Sequence, residues 1–313
     1  MRTHKTLLVV IVLQIFLPAS ANTASSRYDS ARIVALLSHN IQPYQDVMEG
    51  FRQHLRRNGV AMDCDVHFLD GDSGKAASVI QEVKRGEASV LLTLGSLATQ
   101  AAAREMTTPP IIAGMILSTD DLKGAANATG VILEFPLETQ FQWLRRFLPT
   151  SRDIGVIYSP AENGEKIEAA ARLAEHMGLR LHAEKIQSPK ELPAALENVA
   201  RKASVLWGVA DKVVLTPQTA QHILLFSYRN RIPFVGLSSS WVKAGALYSL
   251  EWDYADMGVQ CAEIALRILQ GVEVRSIPPV PPRKVEYSVN LKTAQEMKIE
   301  IPQDIARGAR EVF

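Results

Sequence analysis

The sequence predicts an α/β protein of two similar Rossmann-like lobes, each a parallel sheet covered by helices on both faces, with three chain crossings between them. Three observations predict this. Short apolar runs alternate with amphipathic helical stretches, the pattern of parallel sheets buried on both faces. The alternation runs once and starts again after Pro136. The 313 residues, 47% of them hydrophobic, exceed one ordinary core at a prior of about 150 residues per domain.

In the first half Ile33–Leu37, Val66–Leu69, Val90–Leu94 and Ile111–Ala113 read as strands, with helices at Tyr44–Asn58, Lys75–Lys84 and Leu97–Glu105. In the second, Ile154–Tyr158, Arg180–Glu184, Val205–Val209 and Phe234–Gly236 are strands, and Glu165–Met177, Lys190–Ala200 and Pro217–Asn230 are helices. Ser188-Pro189-Lys190-Glu191 places a capping Ser before Pro at the first helical position, with Glu spaced for a capping box, and Thr216-Pro217 repeats the cap and Pro. Gly59 and Gly178 each follow a helix end, where a left-handed turn suits glycine.

The halves superimpose strand by strand. Ile33–Ser38 matches Ile154–Ser159, Val90–Ser96 matches Val205–Asp211, Pro110–Met115 matches Pro233–Ser238, and Gly130–Leu133 matches Gly245–Tyr248. Any two α/β halves share some of this; the repeated order of strand, small polar residue and helix argues for duplication. A further helix begins near Asp253 or Asp256 and runs to about Gln270, then come Gly271, the proline-rich Pro278-Pro279-Val280-Pro281-Pro282, a strand at Val285–Val289 and a short helix from Lys292. Proline stiffens this path, which reads as a crossing between lobes. With crossings near Glu134–Pro136 and Leu250–Asp253, residues 27–134 plus 252–280 fall to the first lobe, and 136–250 plus 283–313 to the second. Three connections permit hinge bending and little twisting.

Arg2, His4 and Lys5 precede an apolar run from Leu7 to Leu17, which ends in Pro18 and Ala19-Ser20-Ala21. This is the layout of a secretory signal, expected to occupy residues 1–21 and to be cleaved after Ala21. A membrane anchor needs ~20 apolar residues, more than this run offers. No cysteine stands at the cleavage point, so the expected product carries no lipid, does not insert in the membrane, and is free in a Gram-negative periplasm. Lys plus Arg number 34 against 33 for Asp plus Glu, so no net field favours nucleic acid or anionic lipid. Cys64 and Cys261 read as buried thiols, in a compartment that also permits a bridge.

The stretches Leu37-Ser38 through Pro43-Tyr44 with Glu49-Gly50-Phe51, Leu94-Gly95-Ser96 with Thr99, Pro149 followed by Ile154–Tyr158, Val205–Asp211, Gly245-Ala246-Leu247, Gly258 and Asn290 run through nearly the whole chain. In order and spacing they resemble the substrate-binding components of ABC uptake systems with the type I periplasmic binding protein fold, in the branch that includes tryptophan- and tyrosine-binding proteins. The resemblance implies a non-enzymatic monomer without cofactor, a small-molecule ligand and an inner-membrane ABC permease as partner. One stretch departs from it: where many relatives carry a short Asp-Pro turn after the fourth strand, this chain has Met115-Ile116-Leu117-Ser118-Thr119-Asp120-Asp121, which would line one side of the cleft.

In open parallel sheets ligands bind beyond the carboxyl ends of the strands. That selects Ser38, Gly95, Ser96 and Met115 on one lobe, and Ser159, Asp211, Ser238 and Ser239 on the other. Ser96 begins a helix, where open amides and the dipole favour a carboxylate, and Thr99 lies one turn further in. Asp211 would accept an ammonium. The expected ligand is therefore amino-acid-like, with room for an aromatic side chain, its head spanning Ser96 and Asp211 and its side chain resting on Tyr44, beside Pro43, and on Met115 and Trp241. Replacing Asp211 is then expected to weaken the ligand and leave folding nearly intact. Other roles stay open: Ser38, Ser96 and Ser238 as helix caps, Asp211 as a cap or a partner of Lys212, Tyr44 and Trp241 as packed rings. Trp207, inside a strand, is expected in the core.

Asp70-Gly71-Asp72 lacks the acidic ligands of a calcium loop, His39 has no second His at helical metal-ligand spacing, and Asn127-Ala128-Thr129 reads as a surface loop, so no metal is expected. No Gly-x-Ser-x-Gly elbow or phosphate-binding Lys loop appears, so no catalytic residue is assigned. Two alternatives share the cleft: a receptor handing its closed state to a membrane signalling protein, and a periplasmic hydrolase, which needs a base and nucleophile within reach.

Overall fold

Two sheets organise the chain in the computed structural model, which describes residues 31–60 and 64–313. The expected signal segment, 1–21, lies outside the described residues. The first sheet holds β1 (Ile33–Leu37), β2 (Cys64–Phe68), β3 (Val90–Leu94), β4 (Ile111–Ile116) and β5 (Ala128–Ile132), parallel throughout in the order β2-β1-β3-β4-β5. Helices α1 (Gln42–Arg57), α2 (Ser73–Arg85) and α3 (Ser96–Glu105) connect them. Every residue of β1, β3 and β4 is buried, so these strands read as unbroken apolar runs.

The second half runs through α4 (Leu137–Phe147), β6 (Asp153–Tyr158), α5 (Pro160–His176), β7 (Arg180–Lys185), α6 (Leu192–Ala200), β8 (Val205–Trp207), α7 (Pro217–Asn230), β9 (Phe234–Gly236), α8 (Ser239–Lys243) and β10 (Tyr248–Trp252). After α9 (Tyr254–Leu269) come β11 (Val285–Val289), α10 (Leu291–Met297), α11 (Gln303–Gly308) and β12 (Glu311–Val312). Its sheet runs β7-β6-β8-β9-β10, the strand order of the first, then adds β11 antiparallel to β10, and β12. The duplication expected from the sequence is thus a duplication of topology.

Differences from the sequence reading have local causes. The helix expected from Lys190 opens as a 3-10 turn over Pro189–Glu191 and becomes α only at Leu192, because Pro193 has no amide to return to the Pro189 carbonyl. Helix α4 is absent from the sequence reading, yet Phe141, Leu144 and Phe147 bury one stripe of it in the second core. Neither cysteine forms a disulfide: Cys261 is buried, its thiol pushed up to about 12 by desolvation, whereas Cys64, expected buried, lies on the edge strand β2 and is half exposed.

Helix α9 leaves the second sheet and packs on α1 of the first. A Cβ at Gly50 would stand 2.0 Å from the Ala255 carbonyl oxygen, and one at Gly258 would stand 2.0 Å from that of Val47, so only glycine permits this approach. The chain then follows β5: the Thr129 hydroxyl donates to the Ile277 carbonyl at 2.7 Å, and the Val280 amide to that of Gly130 at 3.0 Å. Past Pro281 it is clamped to α9. Buried Asp256 receives Nε and Nη2 of Arg283 at 2.8 and 3.0 Å, Glu263 receives Nη1, and Gln260 bonds both the Pro281 carbonyl and the Arg283 amide. Burial raises the Asp256 pKa, but hydrogen bonds from Arg283 and Lys284 outweigh it and hold the carboxyl below its ordinary value.

Gly258→Ala should cost at least about 1–3 kcal/mol by overpacking, read as a lower urea midpoint at unchanged slope. Because the folded Asp256 pKa lies below its unfolded value of about 3.9, its stabilisation is complete above that pH and is lost as pH falls through it. Wild type should therefore exceed Asp256→Asn in stability at pH 7, and the gap should narrow below about pH 4 in urea titrations at stepped pH.

Candidate functional site

In the order β2-β1-β3-β4-β5 the connections diverge between β1 and β3, and the carboxyl ends of these two strands are where a sheet of this order holds a ligand. Ser38, just past β1, donates its amide to the Leu94 carbonyl at 2.9 Å, and its hydroxyl accepts the Ala98 amide of α3 at 3.1 Å. Gly95 caps α3 at φ +87, and a Cβ there would fall 2.6 Å from both the Ser38 and Tyr44 hydroxyls. Ser38, Tyr44 and Gly95 therefore converge. Pro43 lies in the first turn of α1 and fixes the approach of Tyr44, whose ring meets His39 edge-on at 5.9 Å. Burial pushes the Tyr44 phenol up, so it stays a donor near neutral pH.

Helix α3 satisfies its third and fourth amides through Ser38 and Gly95; those of Ser96 and Leu97 have no acceptor among the described residues. The Ser96 hydroxyl donates to Asp121 Oδ2 at 2.6 Å, and Gln100 donates to Oδ1 at 2.7 Å. A carboxylate thus stands beside the α3 N-terminus. Thr99, expected to face the cleft, is fully buried instead, its hydroxyl 2.9 Å from that of Thr93.

The matching position of the second sheet, between β6 and β8, is filled. Asp211 is 5% exposed. Its Oδ2 accepts the Ser159 amide at 2.7 Å and Asn163 at 2.9 Å, and its Oδ1 accepts the Val213 and Val214 amides at 2.9 and 3.0 Å. Four donors occupy a carboxylate's four acceptor positions, leaving none for the expected ammonium. Asp211 and Ser159 are parts of the lobe's interior. Trp241 takes the packed role left open for it, its ring 5.5 Å from that of Phe234. Ser238 and Ser239 are half exposed at the start of α8. Trp207 is in the core as expected, its indole donating to Gln140 at 3.1 Å.

A cavity of about 180 Å³ opens where the crossings meet the tips of β8, β9 and β10. Its wall includes Leu117, Phe135, Trp207, Leu237, Leu250 and Trp252, with the ion pair of Glu134 and Lys166 (2.9 Å) at its edge. Phe135 and Trp252 stack at 5.3 Å and 10°. The Trp252 Nε1–H is buried without an acceptor among the described residues. Sequence reasoning missed these aromatics, although Phe135 and Trp252 flank two expected crossings, and an aromatic at a crossing was the available signal. Met115, at the end of β4, adopts φ +56 where the register with β5 shifts.

Two lobes of one topology, joined by three crossings with an apolar cavity beside them, define the class: a type I periplasmic binding protein fold. The chain belongs to the ABC transporter substrate binding protein family, whose model matches residues 31–313. It is 23% identical over 195 residues to a tyrosine-binding protein of Clostridioides difficile (strain R20291), a match covering 62% of this chain and 55% of that relative. Among solved structures it is similar to a ligand-free, open substrate binding protein with adhesive properties from Clostridium difficile (TM-score 0.75, 19% identity, 90% of this chain and 99% of that one). It is also similar to an ABC domain from Streptococcus pneumonia in complex with L-Trp (TM-score 0.59, 22% identity, 90% and 99%). Among the described residues no helix is long and apolar enough to cross a membrane.

Asp211→Ala should unfold the loop it holds: three backbone amides lose their acceptor, at about 1–3 kcal/mol for each that stays buried and unpaired. A marked fall in melting temperature by calorimetry is expected.

Proposed function

We propose that the chain is the periplasmic solute-binding component of an ABC importer, closing on a small amino-acid-like ligand with an apolar, aromatic side chain and delivering it to an inner-membrane permease. The observation that carries this is the pairing of a polar head site on the first lobe with an apolar cavity at the second. The open amides of Ser96 and Leu97 and the Tyr44 hydroxyl suit a carboxylate. Asp121, with lone pairs left after Ser96 and Gln100, takes over the ammonium role first given to Asp211. The side chain then lies against Phe135 and Trp252. The tyrosine- and tryptophan-named relatives support an aromatic side chain.

Charge-assisted hydrogen bonds contribute about 1.5–3 kcal/mol each, so a few of them with the buried ring reach the ~8 kcal/mol of a micromolar complex. Isothermal titration with tryptophan and tyrosine should give saturable binding, with a change in Trp252 fluorescence. Asp121→Asn should weaken it about 10–100-fold at unchanged melting temperature of the free protein. No heat and no thermal shift with any amino acid would overturn the ligand class.

A further inference from the structure

Leu117 is 66% exposed, the most exposed of the large apolar side chains among the described residues. It follows β4 of the first sheet and lines the cavity together with Leu237 and Trp252. A single exposed leucine is ordinary on a protein surface. This one is held out by its backbone. Met115 takes a left-handed conformation that residues with a side chain seldom adopt, and the β4–β5 register shifts between Ala113 and Ile116. The shift turns Ile116 fully inward, and the Leu133 amide closes on the Ile116 carbonyl at 2.7 Å. Leu117 is thereby turned outward.

The segment beyond is fixed as well. The Ser118 hydroxyl accepts the Asp120 amide at 3.1 Å, and both Asp121 oxygens are bound by α3 through Ser96 and Gln100. An apolar side chain thus projects into the cleft from a strained residue on one side and a pinned turn on the other. Such strain persists where the surroundings over-determine it, and it clusters at ligand sites.

We infer that Leu117 is the specificity-determining contact of the first lobe, seated on closure against the second lobe's cavity so that the ligand's side chain is held between Leu117 and the Trp252–Phe135 stack. This rests on the proposed ligand class and deepens it. The cavity selects large, flat apolar side chains, because a small one leaves the space between Leu117 and Trp252 unfilled, and a charged one loses its water while Glu134 and Lys166 at the edge already pair with each other.

The test uses the full mature chain. Leu117→Ala should weaken tryptophan about tenfold in titration calorimetry while changing alanine affinity little, with the unliganded melting temperature unchanged. An unaltered tryptophan-to-alanine ratio, or a fall in the unliganded melting temperature, overturns the inference. Failure of the wild type to bind any amino acid would instead defeat the proposed ligand class, and a second arm then decides on Leu117. In a Cys64→Ser background, Leu117→Cys paired with Leu237→Cys should cross-link under mild oxidant, whereas Phe68→Cys paired with Leu237→Cys should not. A pair at 117 and 237 that stays reduced overturns the seating of Leu117.

Discussion

Helix α9 reaches the first sheet only after the chain has built most of the second, and it can dock there because Gly50 and Gly258 bring two helix backbones within touching distance. The docking completes the first core, which joins Phe51 and Leu55 of α1 to Met257, Cys261 and Ala265 of α9. It also dictates the connectivity. A chain that must return to its first sheet and then finish in its second crosses between them three times. The glycines therefore constrain both a core and the number of strands that join the lobes.

The two copies of one topology have diverged at the place where topology alone would put a ligand. In the first sheet the position between β1 and β3 keeps two open amides, a protonated phenol and a nearby carboxylate. In the second the same position is closed by Asp211, which staples Ser159 of one loop to Val213 and Val214 of another. Closing it has a consequence for shape. The space left at the second lobe lies further along the sheet, at β8 to β10, and is walled by the crossings themselves. Head and side chain of a bound molecule would thus engage chemically unlike surfaces, which a symmetric pair of crevices could not offer.

Much of the fold was legible in the sequence because strands buried on both faces leave apolar runs, and β1, β3 and β9 have the bounds those runs suggest. Helix α7 was equally plain, since Thr216 and Pro217 mark its start and the capping box forms with Thr219. Helix α4 was not: its stripe is short and lies close to Pro136 and Pro149, which read as breaks. The site was only half legible. Strand ends pointed to Ser38, Gly95, Ser96 and Met115, whereas the fate of Asp211 depended on three backbone amides in two loops, and no motif marks those. Thr99 failed for a related reason, as its partner Thr93 lies on a strand across the interior. The departure at residues 115–121 was visible as an oddity, but the left-handed turn that aims Leu117 is a property of the backbone.

The crossings differ in how they are tied, and that locates the pivot of the proposed closure. At the second crossing Trp252 ends β10, and the next residue, Asp253, already caps α9 by accepting the Asp256 amide at 2.8 Å. At the third, Arg283 and Lys284 are bound to α9 through Asp256, and the next residue, Val285, begins β11. Each leaves one peptide unit between a residue fixed to the first body and one fixed to the second. These units are neighbours, because Trp252 pairs with Val285 across the antiparallel ladder. The first crossing is brought to the same place by Phe135, stacked on Trp252. An axis through Trp252 and Val285 bends all three connections at once while breaking neither clamp nor ladder, and ring faces that carry no hydrogen bonds can slide as it does so. In the proposed closure the aromatic stack that walls the cavity would then also be the bearing on which the lobes turn, and a side chain resting on Trp252 would act directly at the pivot.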